Sequence, residues 1–168
     1  MDGINLEGWK RCSLKYEKSS LLIAGAFAGY YGPLSARQDC VCGKLECWCG
    51  FSSHNTKIGA LRYRPLRFPI AQVTMSENIR FGGGRKKEYI ISYSQKVSEI
   101  FWPKICLQTS CLNEATGLVV DIEDNLRPAC LEHGGNIIID DFSKVVGIKM
   151  TWLSRDYSNW VKKQIKRN

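Results

Sequence analysis

The stretch GLVVDIEDNLRPACLEHGGNIIIDDFSKVVGIKMTW, residues 117–152, carries the clearest fold signal of the chain. Three runs within it are rich in β-branched residues and are bounded by glycine, asparagine or proline, a pattern typical of strands. These runs cover residues 117–124, 136–142 and 145–152. Because so few residues separate the second run from the third, the sequence predicts a β-hairpin there.

A C-terminal amphipathic helix is predicted at residues 153–167, where Ser154 can cap the first turn. Four apolar side chains recur on it at helical spacing: Tyr157, Trp160, Val161 and Ile165. Together with a β-rich part over 88–152, this helix predicts an α+β fold that is mainly antiparallel sheet. The length of 168 residues favours a single compact domain, 1–168.

The earlier part of the chain gives further local predictions. Residues 4–18 carry apolar side chains at a spacing that fits a short helix, and the small residues of 21–31 fit either a strand or a helix. Residues 57–75 contain two prolines, which favour an edge strand or a loop. RFGGGRKK (80–87) is predicted to be a basic glycine loop, and the run 88–97 after it a strand.

Cys106, Cys111, Cys130 and His133 follow the pattern C-x4-C-x18-C-x2-H. Two short-spaced ligand pairs separated by an intervening segment are typical of structural zinc sites. The strand predicted at 117–124 is that segment, so the metal would join its two ends. The alternative is three ordinary buried cysteines and a surface histidine.

A second cysteine-rich stretch, CVCGKLECWCG, covers residues 40–50. A four-residue turn at 43–46 would pair Cys40 with Cys49 and Cys42 with Cys47 on one face of a hairpin, because side chains alternate along strands. This hairpin (39–50) would place Val41 and Trp48 on the other face. His54 lies close enough in sequence to replace one thiolate. Zinc is one interpretation of this face, and a buried free-thiol cluster, disulfides or redox chemistry are the others.

The polar first twenty residues lack a secretory signal, which favours a reducing compartment and hence zinc or free thiols.

Basic residues form three segments in a chain of net charge +8. Arginine binds phosphate in a bidentate manner, and neighbouring aromatic rings can stack on bases, so these segments predict contact with RNA or DNA. The candidate ligands are Arg62, Arg64, Arg67, Arg80, Arg85, Lys86, Lys87, Lys162, Lys163 and Lys166. The alternative is solvating charge on mobile segments.

Carboxylates at the ends of the predicted strands allow a second chemistry. Such groups can hold Mg²⁺ for phosphodiester cleavage. They are Asp121, Glu123, Asp124, Asp140 and Asp141. The residue two before Lys149 is glycine, so the acid-x-lysine pattern of many nucleases is absent, and a role in turns is the alternative. Cys130 and His133 lack an orienting acid, so no catalytic residue is assigned.

WCGFSSHNTKI, residues 48–58, resembles the non-capsid proteins of bocaparvoviruses. Further elements resemble a later segment of that family: Gln95-Lys96, Phe101-Trp102, Cys106 and Cys111. The resemblance implies a small viral non-structural protein that acts in the nucleus, in RNA processing and genome replication, without known catalysis. It draws attention to Trp48, Cys49 and His54. The strand-rich C-terminal part has no counterpart in that family.

The leading hypothesis is a zinc-stabilised, basic nucleic-acid-binding regulatory protein, viral, non-structural and intracellular, with the nucleus favoured. One alternative is a metal-dependent nuclease. Another is a zinc-built protein-interaction module that antagonises a host protein. No membrane partner is expected, because the apolar segment 21–32 is too short to cross ~30 Å of hydrocarbon.

Overall fold

A large, mainly antiparallel sheet forms the body of the protein in a computed structural model that describes residues 4–26, 32–46, 49–108 and 110–166. The strands are β1 (Asn5–Glu17), β2 (Ser20–Gly25), β3 (Gly32–Pro33), β4 (Gln38–Asp39), β5 (Phe51–His54), β6 (Ile70–Ser76), β7 (Arg80–Gly82), β8 (Tyr89–Ser92), β9 (Ser94–Trp102), β10 (Gly117–Val120), β11 (Leu126–Ala129) and β12 (Lys149–Trp152). The helices are α1 (Lys57–Arg62), α2 (Ile139–Val146) and α3 (Arg155–Lys166), with short 3₁₀ helices at Gly84–Lys86 and Leu131–His133.

The main path of this sheet runs β12-β9-β6-β1-β5-β8-β7. Its pairs are antiparallel except β12 with β9, which is parallel. β2 continues from β1 and pairs with β3, β4 pairs with β9, and β10 with β11 forms a separate antiparallel hairpin. The predicted α+β fold with a large antiparallel sheet and a C-terminal helix is confirmed. None of the helices in the described ranges has the length and apolar character to span a bilayer.

The helix predicted at 4–18 is wrong, because this segment forms β1, the longest described strand. Leu6, Cys12, Leu14 and Tyr16 occupy even positions, and all four contribute to the main core. That spacing has the two-residue period of a strand. In the next segment, 21–31, residues 21–25 belong to the strand β2, and residues 27–31 lie outside the described residues.

The strand predicted at 136–142 and its hairpin are also wrong, because 139–146 forms α2. Ile139, Phe142 and Val146 recur at helical spacing and pack against the main core. α2 ends at Gly147, whose positive φ of 74° is a conformation that glycine adopts without strain. Only residues 149–152 of the third β-branched run form a strand, β12.

The arginine-rich segment 57–75 is neither an edge strand nor one loop. It begins with α1, where Gly59 N–H donates to the Thr56 hydroxyl at 3.1 Å, and it ends with β6 in the middle of the sheet. Both prolines precede β6, so they do not interrupt its hydrogen bonds. Residues 88–97 contain two strands, β8 and the start of β9, and the predicted glycine loop consists of β7 and a 3₁₀ turn.

The C-terminal helix is confirmed as α3. Tyr157 N–H donates to Ser154 Oγ at 3.2 Å, so Ser154 caps the first turn as predicted. The apolar face of α3 packs on the chain between α1 and β6 and on the segment after β9. This contact joins Val161, Trp160 and Ile165 to Leu66 and Ile105.

A buried arginine on β1 connects these parts. Arg11 is 2% exposed and has no carboxylate partner in the described part of the chain. Its guanidinium donates to backbone carbonyls at Ala60, Leu61, Tyr63, Leu66 and Phe68, over distances of 2.6–3.2 Å. It also donates to the Tyr157 hydroxyl at 2.8 Å. Arg11 therefore holds α1, the following loop and α3 against the sheet.

Candidate metal centre

Four side chains from two parts of the chain converge in what we call the Cys3His cluster: Cys106, Cys111, Cys130 and His133. Cys130 Sγ lies 3.2 Å from His133 Nδ1, and Cys106 Sγ lies 3.5 Å from the same nitrogen. Cys111 Sγ lies 3.9 Å from Cys130 Sγ. All four ligand atoms lie within 4.8 Å of one another, so the fold brings together the whole predicted set.

These separations match the edges of a zinc tetrahedron. With Zn–S bonds of about 2.3 Å and a Zn–N bond of about 2.0 Å, tetrahedral edges are about 3.8 Å between two sulfurs and about 3.5 Å between sulfur and nitrogen. A disulfide would instead bring the sulfurs to about 2.05 Å. The three cysteines are free thiols, and the group is compatible with a metal such as zinc.

The β10–β11 hairpin places the two ligand pairs side by side. Cys106 follows β9, and its N–H donates to Asn113 O at 2.9 Å, which closes the small loop that carries Cys111. Cys130 directly follows β11, and the 3₁₀ turn after it returns His133 N–H to Cys130 O at 3.1 Å. Gly135 then passes so close to the Ala129 carbonyl that a Cβ would overlap it. The predicted strand between the ligand pairs is thus confirmed for 117–120.

Burial and hydrogen bonding set the thiols of the Cys3His cluster apart. Cys106 is fully buried, and this burial raises the pKa of its thiol. Desolvation also acts to raise the pKa of Cys130, but the His133 backbone N–H and the side chains of Cys106, His133 and Cys111 outweigh it. The pKa of Cys130 falls to about 7. Because metals bind the thiolate, this lowered pKa favours Cys130 as an anionic ligand.

Arg67, one of the predicted nucleic-acid ligands, braces the Cys3His cluster. Its Nη1 donates to Cys106 O at 3.2 Å and to Gln108 O at 3.1 Å. Burial lowers the pKa of Arg67, and the neighbouring Cys106 and Cys111 act to raise it. A cation here offsets the negative charge that three thiolates and one divalent ion would leave.

A second group, the thiol cluster, contains Cys40, Cys42 and Cys49, whose sulfurs lie within 4.8 Å of one another. Cys40 Sγ lies 3.2 Å from Cys49 Sγ, which is the predicted pairing of these two residues. The hairpin predicted to produce it is absent from the described residues, because 40–46 and 49–50 form turns and coil. Val41, which was predicted to lie on the face of the hairpin opposite the sulfurs, is 81% exposed. Cys47 and Trp48 lie outside the described residues.

The two ends of this cysteine-rich stretch meet because β8 and β9 are separated by a single residue, Tyr93. Cys40 follows β4, which pairs with β9 at Ser94, and its N–H donates to Tyr93 O at 2.8 Å. Cys49 precedes β5, which pairs with β8 at Ser92. Strand pairing outside the cysteine stretch therefore joins its ends, and a sequence window confined to 39–50 contains no trace of it.

His54 does not belong to the thiol cluster in the structure. Its ring lies 5.0 Å, between centroids, from each of the rings of Tyr63 and Tyr89. Burial is the main cause that lowers the pKa of His54, which favours the neutral imidazole. His54 lines a cavity that extends from the thiol cluster along β1.

The predicted nucleic-acid ligands separate into two surfaces. Arg62 and Arg64 lie on the chain that packs against α3, which carries Lys162, Lys163 and Lys166. Arg80, Arg85, Lys86 and Lys87 lie on or after β7, at the far edge of the sheet from β12. Arg80 Nη2 donates to Cys49 O at 2.7 Å, so this arginine braces the thiol cluster. The three basic segments therefore do not form one continuous surface.

Among the carboxylates proposed for Mg²⁺, Asp121 serves local structure. Asp121 Oδ1 accepts from Glu123 N–H at 2.8 Å and from Asn125 N–H at 3.0 Å, and its Oδ2 pairs with Arg127 at 2.7 Å. Asp140 and Asp141 lie in the first turn of α2. In the ranges that the structure describes, the Cys3His and thiol clusters are the only groups arranged for a metal, so no carboxylate group favours the nuclease hypothesis.

A cavity of about 660 Å³ was not predicted. It opens where β1 exchanges its neighbour: β5 pairs with β1 only at Trp9, and β2 only from Cys12 onward. Lys10 and Arg11 lie in this gap. The signal in the sequence was Lys10, a lysine at an even position of β1 in phase with the core residues, and it becomes visible only when 4–18 is recognised as a strand.

Comparison with known proteins identifies no match to this chain. No family model, no curated protein sequence and no solved structure matches it. The two cysteine clusters, the divided basic surface and the cavity are therefore the basis for a function.

Proposed function

We propose that this protein is a zinc-stabilised, basic nucleic-acid-binding regulatory protein that acts by binding and not by catalysis. The observation that carries the proposal is a chain of contacts from the Cys3His cluster to a pair of adjoining cationic elements. These elements are the loop 62–68 and α3, which together we call the basic face. A metal-ordered scaffold that presents unpaired cations is suited to a polyanion.

The first contact in this chain is Arg67. It lies in the loop and donates to the backbone of Cys106, one of the four candidate ligands. A metal at the cluster fixes that backbone and so fixes the position of the loop. The next contact is Leu66, which packs with Ile105 and Val161 and seats the loop on α3.

The basic face has the chemistry that phosphate recognition needs. Arg62, Arg64, Lys163 and Lys166 are exposed and form no ion pair among the described residues. Their charge is therefore available to phosphates. Tyr63 stands between the two arginines with 41% of its surface exposed, and its ring can stack on a base.

The salt dependence of binding tests this role. We expect the logarithm of the affinity for a duplex oligonucleotide to fall linearly with the logarithm of salt, by about 0.9 for each phosphate contacted. The triple variant Arg62→Ala, Arg64→Ala, Lys163→Ala should reduce this slope by about 2 to 3. Fluorescence anisotropy over a range of salt concentrations measures it, and single-stranded RNA in parallel distinguishes the preferred nucleic acid.

The matched control removes three exposed charges from the distant edge of the sheet. Arg85→Ala, Lys86→Ala, Lys87→Ala should leave the slope unchanged if the basic face is the binding surface. A wild-type affinity that does not change with salt contradicts the proposal. So does a control that loses as much affinity as the triple variant on the basic face.

The metal is tested separately by elemental analysis of protein purified without added metal. We expect zinc, and we expect a chelator to unfold the protein, because structural zinc supplies folding free energy directly. Less than about half a zinc ion per chain would reject both clusters as zinc sites. Residues 48–58 resemble the non-capsid proteins of bocaparvoviruses. On that resemblance alone, we extend the proposal to a viral protein that acts in the nucleus.

A further inference from the structure

The cavity along β1 has the size and lining of a small-molecule site. Its volume of about 660 Å³ lies in the range of pockets that enclose small organic ligands, about 300–1,000 Å³. Aromatic rings line it at Phe51, Tyr63 and Tyr89, and polar groups line it at Lys10 and Gln95. This combination of an apolar wall and a few oriented polar groups is typical of ligand sites.

Lys10 is the distinctive group in the cavity. Its Nζ donates to Gln95 Oε1 at 3.1 Å and lies 5.6 Å from the centroid of the Phe51 ring. Neither partner is an anion, and no carboxylate of the described residues pairs with this amine. Burial lowers the pKa of Lys10 to about 8.

Hydrogen bonds hold the amine in place. Gln95 is 4% exposed, and its Nε2 donates to Gln38 Oε1 at 2.7 Å. Gln38 Nε2 in turn donates to Pro33 O at 3.2 Å. This relay fixes the Gln95 carbonyl towards Lys10. An ammonium has three donors, so two remain after the bond to Gln95.

The acid that lines the cavity is already paired with an arginine. Asp39 is the one carboxylate among the described residues that line the cavity. Its Oδ1 accepts from Arg37 Nε at 3.0 Å and from Ser94 Oγ at 2.6 Å. Arg37 also pairs with Glu77 at 2.6 Å. The cavity therefore contains an oriented cation that has no counter-ion among the described residues.

We propose that this cavity binds a small aromatic anion, with the ring against the aromatic wall and the carboxylate or phosphate group held by Lys10. A charge-assisted hydrogen bond from the amine would supply orientation, and the partly buried cation would gain a counter-ion that the described residues do not provide. Tyr63 is the one described residue of the basic face that also lines the cavity, and the cation of the cavity, Lys10, lies outside that face, so either proposal can fail without the other.

Three probes of similar shape test the proposal on zinc-loaded protein: benzoate, phenyl phosphate and neutral benzamide. We expect benzoate or phenyl phosphate to bind with a Kd of about 1 mM, as fits ligands of this size, and benzamide at least about tenfold more weakly. Isothermal titration or ligand-observed NMR measures these affinities. A preference between the two anions identifies the acid group.

Lys10→Met keeps the apolar stem and removes the charge, and it should weaken binding of the preferred anion by about tenfold or more while leaving benzamide unchanged. Lys57→Met is the matched control, because Lys57 Nζ also lies over a ring, 4.1 Å from the centroid of Phe101, but outside the cavity. This control should bind as the wild type does. Circular dichroism and zinc content of both variants show whether they fold.

Two results would overturn the proposal. One is that neither anion binds more tightly than benzamide, as expected if water alone fills the cavity. The other is that Lys10→Met binds the anions as the wild type does but loses zinc, as expected if the amine only balances thiolates at Cys40 and Cys49.

Discussion

Replacing Arg11 by methionine should destabilise the protein strongly, because this residue connects β1 to α1, the loop 62–68 and α3. Methionine keeps an unbranched apolar stem but removes every donor. Two of the carbonyls that Arg11 serves, at Leu66 and Phe68, have no other donor among the described residues. Others keep a partner: Ala60 O also accepts from Tyr63 N–H at 3.1 Å, and Leu61 O from the Tyr157 hydroxyl at 2.7 Å.

The magnitude follows from these two orphaned carbonyls. A buried polar group left without a partner costs about 1–3 kcal/mol, which gives roughly 2–6 kcal/mol for the pair. Removal of a buried guanidinium recovers part of this, since Arg11 is a desolvated cation whose pKa is lowered by burial. We therefore expect the free energy of unfolding to fall by about 2–4 kcal/mol, a large part of the ~5–15 kcal/mol of a typical domain.

Urea denaturation at fixed zinc concentration measures this change. Arg155→Met on α3 is the control: its side chain is 78% exposed, and it forms one ion pair, at 3.4 Å to Glu114, so we expect an effect within about 0.5 kcal/mol. Arg11→Lys should also destabilise the protein, because an ammonium has only three donors and cannot reach all of the carbonyls between Ala60 and Phe68. A wild-type midpoint for Arg11→Met, or full rescue by lysine, would refute this account of how the loop is held.

Three further predictions concern the metal, the cavity and a glycine. Cys130→Ser should remove zinc from the Cys3His cluster and abolish its contribution to the melting temperature, so elemental analysis and thermal unfolding should change together; retention of full zinc content would contradict the ligand assignment. Burial lowers the pKa of Lys10 from 10.5 to about 8, so the folded chain releases this proton at a lower pH than the unfolded chain does. Below pH 8 the charged amine therefore reduces the free energy of unfolding by its full amount. This destabilisation fades as the pH rises towards 10.5. The free energy of unfolding of Lys10→Met minus that of the wild type should therefore be greatest near pH 7 and should decline towards pH 10.5, by at most about 3 kcal/mol. A difference that does not depend on pH would contradict this prediction. Gly135→Ala should destabilise by more than about 2 kcal/mol, because its Cβ would overlap the Ala129 carbonyl, whereas equal stability of this variant and the wild type in denaturant would contradict the close approach.

Local patterns predicted those parts of the fold in which neighbours in sequence are also neighbours in space. The Ser154 cap and the apolar stripe of α3 are of this kind, because both arise within a few turns of one helix. The Cys3His cluster is another, since its two ligand pairs are joined by a simple hairpin. The spacing of the four ligands along the sequence was therefore enough to predict that they meet.

Other local patterns supported two structures equally well, and packing chose between them. Ile139 and Phe142 belong to one β-branched run and Val146 to the next, and both runs suit strands. The three residues also repeat at helical spacing, and burial of one face against the core selected the helix. In β1 the same competition was decided the other way, because Leu14 and Tyr16 reach the core only with alternating side chains.

The sequence by itself determined the ligand set of the Cys3His cluster, the basic character of the surface and the final helix, because each depends on residue type and short spacing. Only the tertiary structure decided that strand pairing outside the cysteine stretch brings Cys40 to Cys49, that the basic segments divide between two surfaces, and that Lys10 lines a cavity. These features arise from pairing between strands far apart in the chain. The physical reason is that β-sheet hydrogen bonds and core burial join distant segments, and no local spacing records which strand becomes the neighbour of which.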